Sequence, residues 1–394
     1  MLWMEAMVKN RRFLFVIALF WFSGYIFIPY LTPYLRELGI VGSTAGMILG
    51  TYGFSQLLLR VPFGVAANRS GNHKAFMSAG FAALIAAGVL LSFATHPAAF
   101  FLARFLAGLA SSSWVSFTVF YTGMHTEEET GKAIAAAMIA NNSGTLSSYL
   151  FGIVLFDKFD IGFMFILSIV SAAAGLTLLC TVKEGDAVMV GSGMNLRDFK
   201  NVLKNRGLLI FSSIAALSQI VTYATILSFT PDYVKNNLGA DGRGLAFLSV
   251  IYSVACILGS AWVSSKYSAR IPVKYQIMCS FALSAMYCLI VPNTVNLTLV
   301  YVMQLIGGIG QSSIMTHAMA LSIGEVHPGG RSAAMGIYQC IYSFGMTLGP
   351  IIMGGLLDIF ARFNYACYVI ILVCAAGMFL SFAAVKVKTL SARV

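Results

Sequence analysis

Twelve times in 394 residues the sequence runs apolar for about twenty positions and then stops at a short polar break. No other feature limits the fold so strongly. About 20 apolar residues in a helix match the ~30 Å hydrocarbon core of a bilayer. The runs lie near 13–35, 44–67, 75–95, 98–123, 133–156, 161–182, 208–233, 244–264, 275–292, 297–323, 333–357 and 365–385. Composition agrees, since 59% of residues are hydrophobic and 10% charged. A soluble chain needs roughly 25% charged residues to face water on all sides. The expected class is an all-α integral membrane protein with twelve transmembrane helices.

Charge then orients the chain. The net charge of +11 is distributed in a way that marks membrane sidedness rather than nucleic-acid binding. Arg36, Lys158, Lys235, Arg243 and Arg362 fall on one side, Arg60 and Arg104 lie inside spans, and the other 18 of the 25 Lys and Arg fall on the second side. That second side, with both termini, is expected in the cytoplasm. The membrane is expected to be a plasma or bacterial inner membrane. The seven Cys are scattered in apolar segments without a CxxC pair, so they read as small core residues, with neither disulfide nor metal implied. The basic N-terminus precedes a long aromatic run without a small-residue cleavage site, so the run is expected to stay as the first span. The longest break, 183–207, is polar, with an amphipathic helix expected at NLRDFKNVLKN. It divides the chain into 1–182 and 208–394.

The two parts echo each other about 200 residues apart. TPYLRELG (32–39) matches TPDYVKNNLG (230–239), and RFLAGLASSS (104–113) matches QLIGGIGQSS (304–313) without a gap. TGKAIAAAM (130–138) matches GGRSAAMGI (329–337), and LFD (155–157) matches LLD (356–358). A repeated six-span unit implies two bundles that rock about a shared cavity. This is transporter architecture.

Two local motifs sharpen that reading. GVAANRSGNHK (64–74), between spans two and three, resembles the signature loop G-x-x-x-D-R-x-G-R-R/K of the major facilitator superfamily. Gly64, Arg69, Gly71 and Lys74 match, whereas Asn68 stands where the family has Asp. In the family that acid latches the outward-open state, so the resemblance implies a cytoplasmic gate loop whose latch lacks its charge. Arg104-x-x-x-Gly108 in span four resembles a second pattern of the family. Span five lacks the Gly-Pro pattern of the family's drug antiporters. The pattern appears instead in span eleven, where Gly349-Pro350 is expected to bend the helix and allow close packing.

The resemblance covers the whole chain and implies two pseudo-symmetric six-helix bundles. Spans 1, 4, 7 and 10 would line the cavity, assisted by 2, 5, 8 and 11. On these spans lie Trp21, Tyr25, Tyr30, Tyr52, Gln56, Ser111, Ser112, Trp114, Asn141, Asn142, Gln219, Tyr223, Tyr252, Gln304, Gln311, His317, Tyr338, Gln339 and Tyr342. They suggest aromatic walls with a few polar anchors. Arg104, several residues inside its span, is a candidate site by its cost alone. The helix-packing candidates are Gly108, Gly349 and Pro350. No Asp or Glu falls in mid-membrane, so His317, the one deep histidine, is the candidate for proton coupling, with a bond to a neighbouring helix as the alternative.

No GxxxxGK[ST] loop is present, so ATP-driven transport is not expected. No catalytic carboxylate lies within the spans, which argues against an enzyme. The expected function is secondary active or facilitative transport of a small organic solute by alternating access, with efflux of amphipathic or anionic compounds favoured. The alternative is proton-linked or facilitated uptake of a metabolite, either an organic anion or a sugar-like solute. A non-transporting membrane sensor is the remote reading. The expected partners are the solute and the lipid bilayer, with no cofactor, metal or nucleic acid, and the chain is expected to act as a monomer.

Overall fold

The structure, a computed structural model, describes residues 11–126, 129–156, 158–182, 202–324, 326 and 331–391. Twelve long helices, three of them interrupted, run through the described residues, and ten are long and apolar enough to cross a membrane. In the first half they are α1 (Arg11–Glu37), α2 (Gly42–Ser70), α3 (His73–Phe93), α4 (Pro97–Thr122), α5 (Thr130–Leu155) and α6 (Ile161–Thr181). In the second half they are α7 (Arg206–Leu238), α8 (Gly242–Val263), α9 (Val273–Ile290), α10 (Leu297–Gly324), α11 (Arg331–Phe360) and α12 (Phe363–Ser391). Every expected span holds a helix. Of NLRDFKNVLKN, residues 195–201 lie outside the described residues, as do Glu127, Glu128 and Asp157.

Short local signals end these helices. Gly71 closes α2 with a left-handed φ of 65°, a conformation that suits a residue without a Cβ. Asn72 then accepts from the Ala75 amide at 3.0 Å and caps α3. Asp160, Asn205 and Asp241 cap α6, α7 and α8 in the same way. Phe15, Phe93, Leu372 and Phe379 are 58–81% exposed, as suits side chains that meet lipid tails.

Three helices are interrupted. α1 breaks at Ile26–Phe27, ahead of Pro29, and α4 breaks at Ser113. α7 passes through a π-helical turn, Thr225–Phe229, ahead of Pro231. A proline leaves a carbonyl one turn back without its amide partner, and a wider turn absorbs the misfit. By contrast α11 continues as one helix through Pro350. Close approach there comes from Gly349, which faces the Ile220 carbonyl with no room for a side chain.

The halves meet along two seams, α2 with α11 and α5 with α8, and at the tips of α1 and α7. Under the 200-residue repeat, α2 corresponds to α8 and α5 to α11, so the two seams exchange. The α2 seam is built on small residues. Gly46, Gly50 and Gly53 abut Pro350, Thr347 and Met346 of α11. With little hydrophobic force between helices in lipid, such contact rests on backbones approaching closely. The repeat also holds in detail. Gly108 on α4 fits against Tyr52 and Ser55 of α2, and Gly308 on α10 fits against Tyr252 and Ala255 of α8. Within the first half, Ser23 and Ser168 each donate to the other's carbonyl, at 2.8 and 2.7 Å, and tie α1 to α6.

Candidate functional site

The interrupted parts of α1 and α7 frame a central cavity. It has a volume of about 40 Å³ and is lined by Gly24, Tyr25, Ile28, Leu31, Thr32, Leu49, Tyr52, Arg104, Tyr223, Leu227 and Ser228. Arg104 is only 5% exposed. Its guanidinium lies over the Tyr52 ring, 4.6 Å from the centroid. Tyr52 and Ser111 share a 2.6 Å hydroxyl contact, which steadies the ring beneath it. The Arg104 Nε has no hydrogen-bond partner, and no carboxylate pairs with the side chain among the described residues. The stacking offsets part of the desolvation penalty of this cation, but not its charge.

The repeat supplies an internal comparison. Gln304 stands where the second half would carry Arg104, and its Oε1 accepts from the Tyr287 hydroxyl at 2.9 Å. The same place in the fold is therefore built with a neutral, satisfied side chain. The architecture does not require the arginine.

The sequence-expected site residues separate into groups. Tyr25, Arg104 and Tyr223 line the cavity, with Tyr52. Tyr30 stacks on Phe156 at 3.7 Å, away from the cavity. Gln56 is buried on α2, one turn beyond Tyr52. Asn141 is half-buried and Asn142 exposed on α5. Gln311 donates to Gln219 at 3.0 Å and accepts from Ser218, which clamps α10 to α7. Tyr338 donates to the Met315 carbonyl at 3.2 Å, and Gln339 is half-buried on α11. Of these, Gln311 and Tyr338 have their polar groups bound to neighbouring helices. Thr32 and Ser228 contribute hydroxyl-bearing residues to the wall that no motif signalled.

His317 makes a bond to a neighbouring helix, α9. Its Nε2 lies 3.1 Å from Gln276 Oε1 and donates to it in the tautomer that this acceptor selects. Gln276 Nε2 in turn donates to the carbonyls of Ser268 and Ile271 at 2.9 and 2.8 Å, and fastens the turn between α8 and α9. His317→Ala is expected to lower thermal stability by about 1–3 kcal/mol, because it strips a buried bond from Gln276. The pH profile of transport is expected to stay unchanged. A thermal melt and transport assays between pH 5.5 and 8.5 check the two outcomes, roughly bracketing the ordinary histidine range.

The gate-loop residues make their bonds within the first half. Lys74 donates to the Val182 and Cys180 carbonyls at 2.9 and 3.4 Å and so holds the end of α6. Gly64 is buried near Val115, Arg69 is exposed, and Asn68 is half-buried. Asn68 makes no side-chain hydrogen bond among the described residues.

The face that carries Arg69, Lys74, Lys266, Arg270 and Lys274 is here called the basic face. Closure lies at the other face. Arg36 Nη1 donates to Asp232 Oδ2 at 2.9 Å, and Lys235 pairs with Glu37. These are the two ion pairs among the described residues, and both join the halves. Each of the matched tips of α1 and α7 carries one acid and one base, and each acid meets the base of the other tip. The Ser43 amide also donates to Asp358 Oδ2 at 2.9 Å, which sets a carboxylate at the N-terminus of α2. Asp232→Asn is expected to weaken closure by about 1 kcal/mol, roughly a fivefold shift in population, since Arg36 is half-exposed. Faster thiol labelling of Ser228→Cys from this face checks the shift. The exchange Arg36→Asp with Asp232→Arg is expected to reverse it.

Comparison with known proteins agrees with this architecture. The profile described as Major Facilitator Superfamily matches residues 13–274 and, again, 211–392. No curated protein sequence matches the chain at a significant level. Among solved structures, a mutant of the nucleoside transporter NupG superposes with a TM-score of 0.80 at 14% identity, over 94% of this chain and 98% of that one. A bacterial homolog to the human lysosomal transporter Spinster, inward-facing and occupied, superposes with a TM-score of 0.74 at 15% identity, over 95% and 96%. The same homolog, inward-facing and unoccupied, gives 0.71 at 16% identity, over 97% and 96%. At such identities the likeness carries the fold, and the profile carries the family. The chain belongs to the major facilitator superfamily, whose members carry small solutes across membranes and are not enzymes.

Proposed function

We propose that this transporter carries a small organic anion with an aromatic or apolar body and binds it in the cavity at Arg104. The carrying observation is a buried guanidinium with a free Nε and, among the described residues, no carboxylate partner, in a tyrosine-walled cavity between the two halves. A buried charge without a partner is expensive to keep, and a solute carboxylate supplies the missing partner. The tyrosine rings accommodate the body of the solute, and their hydroxyls, with Thr32 and Ser228, orient it. With the basic face in the cytoplasm, as the Lys and Arg asymmetry implies, the ion pairs of Arg36 and Lys235 close the cavity to the outside. Release of those pairs then exposes the cavity outward, and the favoured direction is efflux.

A second reading is a neutral hydroxylated solute such as a nucleoside. Its support is the number of tyrosine hydroxyls around the cavity, with Arg104 serving only as a stacked cation on Tyr52. Counterflow in proteoliposomes separates the two. Benzoate, hydroxybenzoate and phenylacetate are compared with their amides and with uridine and glucose, with and without a pH gradient. Carboxylates are expected to exchange and their amides to fail. Exchange of uridine that survives Arg104→Gln would support the second reading.

A further inference from the structure

Tyr52 and Arg104 begin a stripe that continues towards the basic face. Tyr52, Gln56 and Arg60 recur every fourth residue on α2, so they share one side of that helix about 6 Å apart along its axis. All three are buried, at 7%, 2% and 5% exposure. Gln56 Nε2, Arg60 Nε and Arg104 Nε are buried donors without partners. The unmet groups are all donors, two of them on cations, and no carboxylate pairs with either arginine among the described residues. The corresponding positions on α8 are Tyr252, Cys256 and Ser260, so the second half builds the same stripe without charge. Cys256 donates to the Gly308 carbonyl and Ser260 lies 3.3 Å from the Thr316 hydroxyl, so neither is left open.

Arg60 has one polar partner. Its Nη1 donates to the Tyr342 hydroxyl at 2.9 Å, and its guanidinium lies 5.7 Å from that ring's centroid. Tyr342 belongs to α11, so this bond joins the two halves on the basic-face side of the cavity. Tyr342 also packs against the cluster around Tyr52. A phenol is a weak acceptor for a desolvated guanidinium, and a carboxylate is a stronger one.

We propose that Arg60 is a second anion-binding residue, a relay between Arg104 and the basic face, and that the Tyr342 hydroxyl holds its place when no anion is bound. The ligand class is an organic carboxylate or another monoanion of similar size. The proposal rests on the reading of Arg104 as the anchor only for what enters the cavity. An anion that reaches Arg60 takes the guanidinium from Tyr342, and so loosens the link between α2 and α11 as it passes.

Cys340 offers a local probe. Its Sγ lies 3.6 Å from the Leu57 carbonyl on the same seam, one turn of α2 from Arg60. Purified protein in proteoliposomes is treated with the anionic reagent sulfonatoethyl methanethiosulfonate or the cationic reagent trimethylammonioethyl methanethiosulfonate. Labelling of the Cys340 peptide is followed by mass spectrometry and compared with labelling of free cysteine. The anionic reagent is expected to be favoured about tenfold over the free-thiol ratio, the size of effect one nearby uncompensated charge produces. Arg60→Lys should keep the preference and Arg60→Gln should erase it. An unchanged ratio in Arg60→Gln overturns the proposal, as does failure of both reagents, since an anion that cannot reach Cys340 cannot reach Arg60. Tyr342→Phe should raise the anionic rate, and a fall would remove its place-holding role. Arg104→Gln should leave the ratio intact, so failure of the Arg104 reading and failure of the Arg60 proposal give different results.

Discussion

Arg104→Gln is expected to cut carboxylate transport by about a hundredfold and, in the same protein, to raise the melting temperature. The two effects share a cause. A charge-assisted bond from a buried guanidinium to a carboxylate contributes up to about 3 kcal/mol, and loss of that amount is roughly a hundredfold in affinity. Without solute, the same guanidinium is a desolvated cation with a free Nε, held over the Tyr52 face. A neutral amide in its place removes an uncompensated charge, which stabilises the empty protein by about 1 kcal/mol or more. Gain of stability with loss of function marks a residue kept for its ligand. Gln304, already present at the repeat-equivalent position, shows that the fold accommodates this side chain. Arg104→Lys is expected to recover only part of the activity, because a point charge neither spreads over the Tyr52 ring nor offers a forked pair of donors. Transport kinetics and a thermal melt on the same preparation check both effects. Normal transport with an unchanged melt would return Arg104 to a packing role.

Gly46→Leu is expected to leave both bundles folded, to hold the protein away from the state closed at the Arg36 face, and to slow turnover at least tenfold. A Cβ at this position meets the Pro350 carbonyl and the Gly354 backbone, all in the other half, and neither can give way as a side chain could. Overpacking of this kind costs about 1–3 kcal/mol, enough to invert a balance between two states of similar energy. The ion pairs at the tips of α1 and α7 are then pulled apart with the seam. Labelling of Ser228→Cys from that face should rise, and the rise should exceed that in Asp232→Asn. Gly144→Leu is the contrast. Gly144 abuts the backbone of Ala18 within the first half, so bulk there disrupts the bundle itself. Loss of folded protein, rather than altered access, is expected from that change.

Both predictions bear on what the amino-acid order alone conveyed. The spans and the halves were readable because each depends on neighbours in sequence. An apolar run long enough for a bilayer and a repeat 200 residues apart need no knowledge of what packs where. Two helix ends ran past expectation. α7 continues to Leu238 and α12 to Ser391, because a helix goes on into water where its residues allow it. Arg104 was readable as well, since a charge that deep is costly wherever its helix turns.

The sequence alone determined the number of membrane helices, their pairing into two repeated bundles and the presence of one deep cation on span four. Tertiary structure decided which polar side chains surround that cation and which are bound elsewhere. Gln311, Tyr338 and His317 looked like cavity candidates but are bound to Gln219, Met315 and Gln276. It also decided that Gly46, Gly50 and Gly53 form a seam with α11, and that Arg36 and Glu37 meet Asp232 and Lys235. The physical reason lies in the solvent. In water, polarity along a helix separates the face that is buried from the face that is wet. In a bilayer the lipid is as apolar as the protein interior, so that contrast disappears and only the packed structure shows which face meets which neighbour.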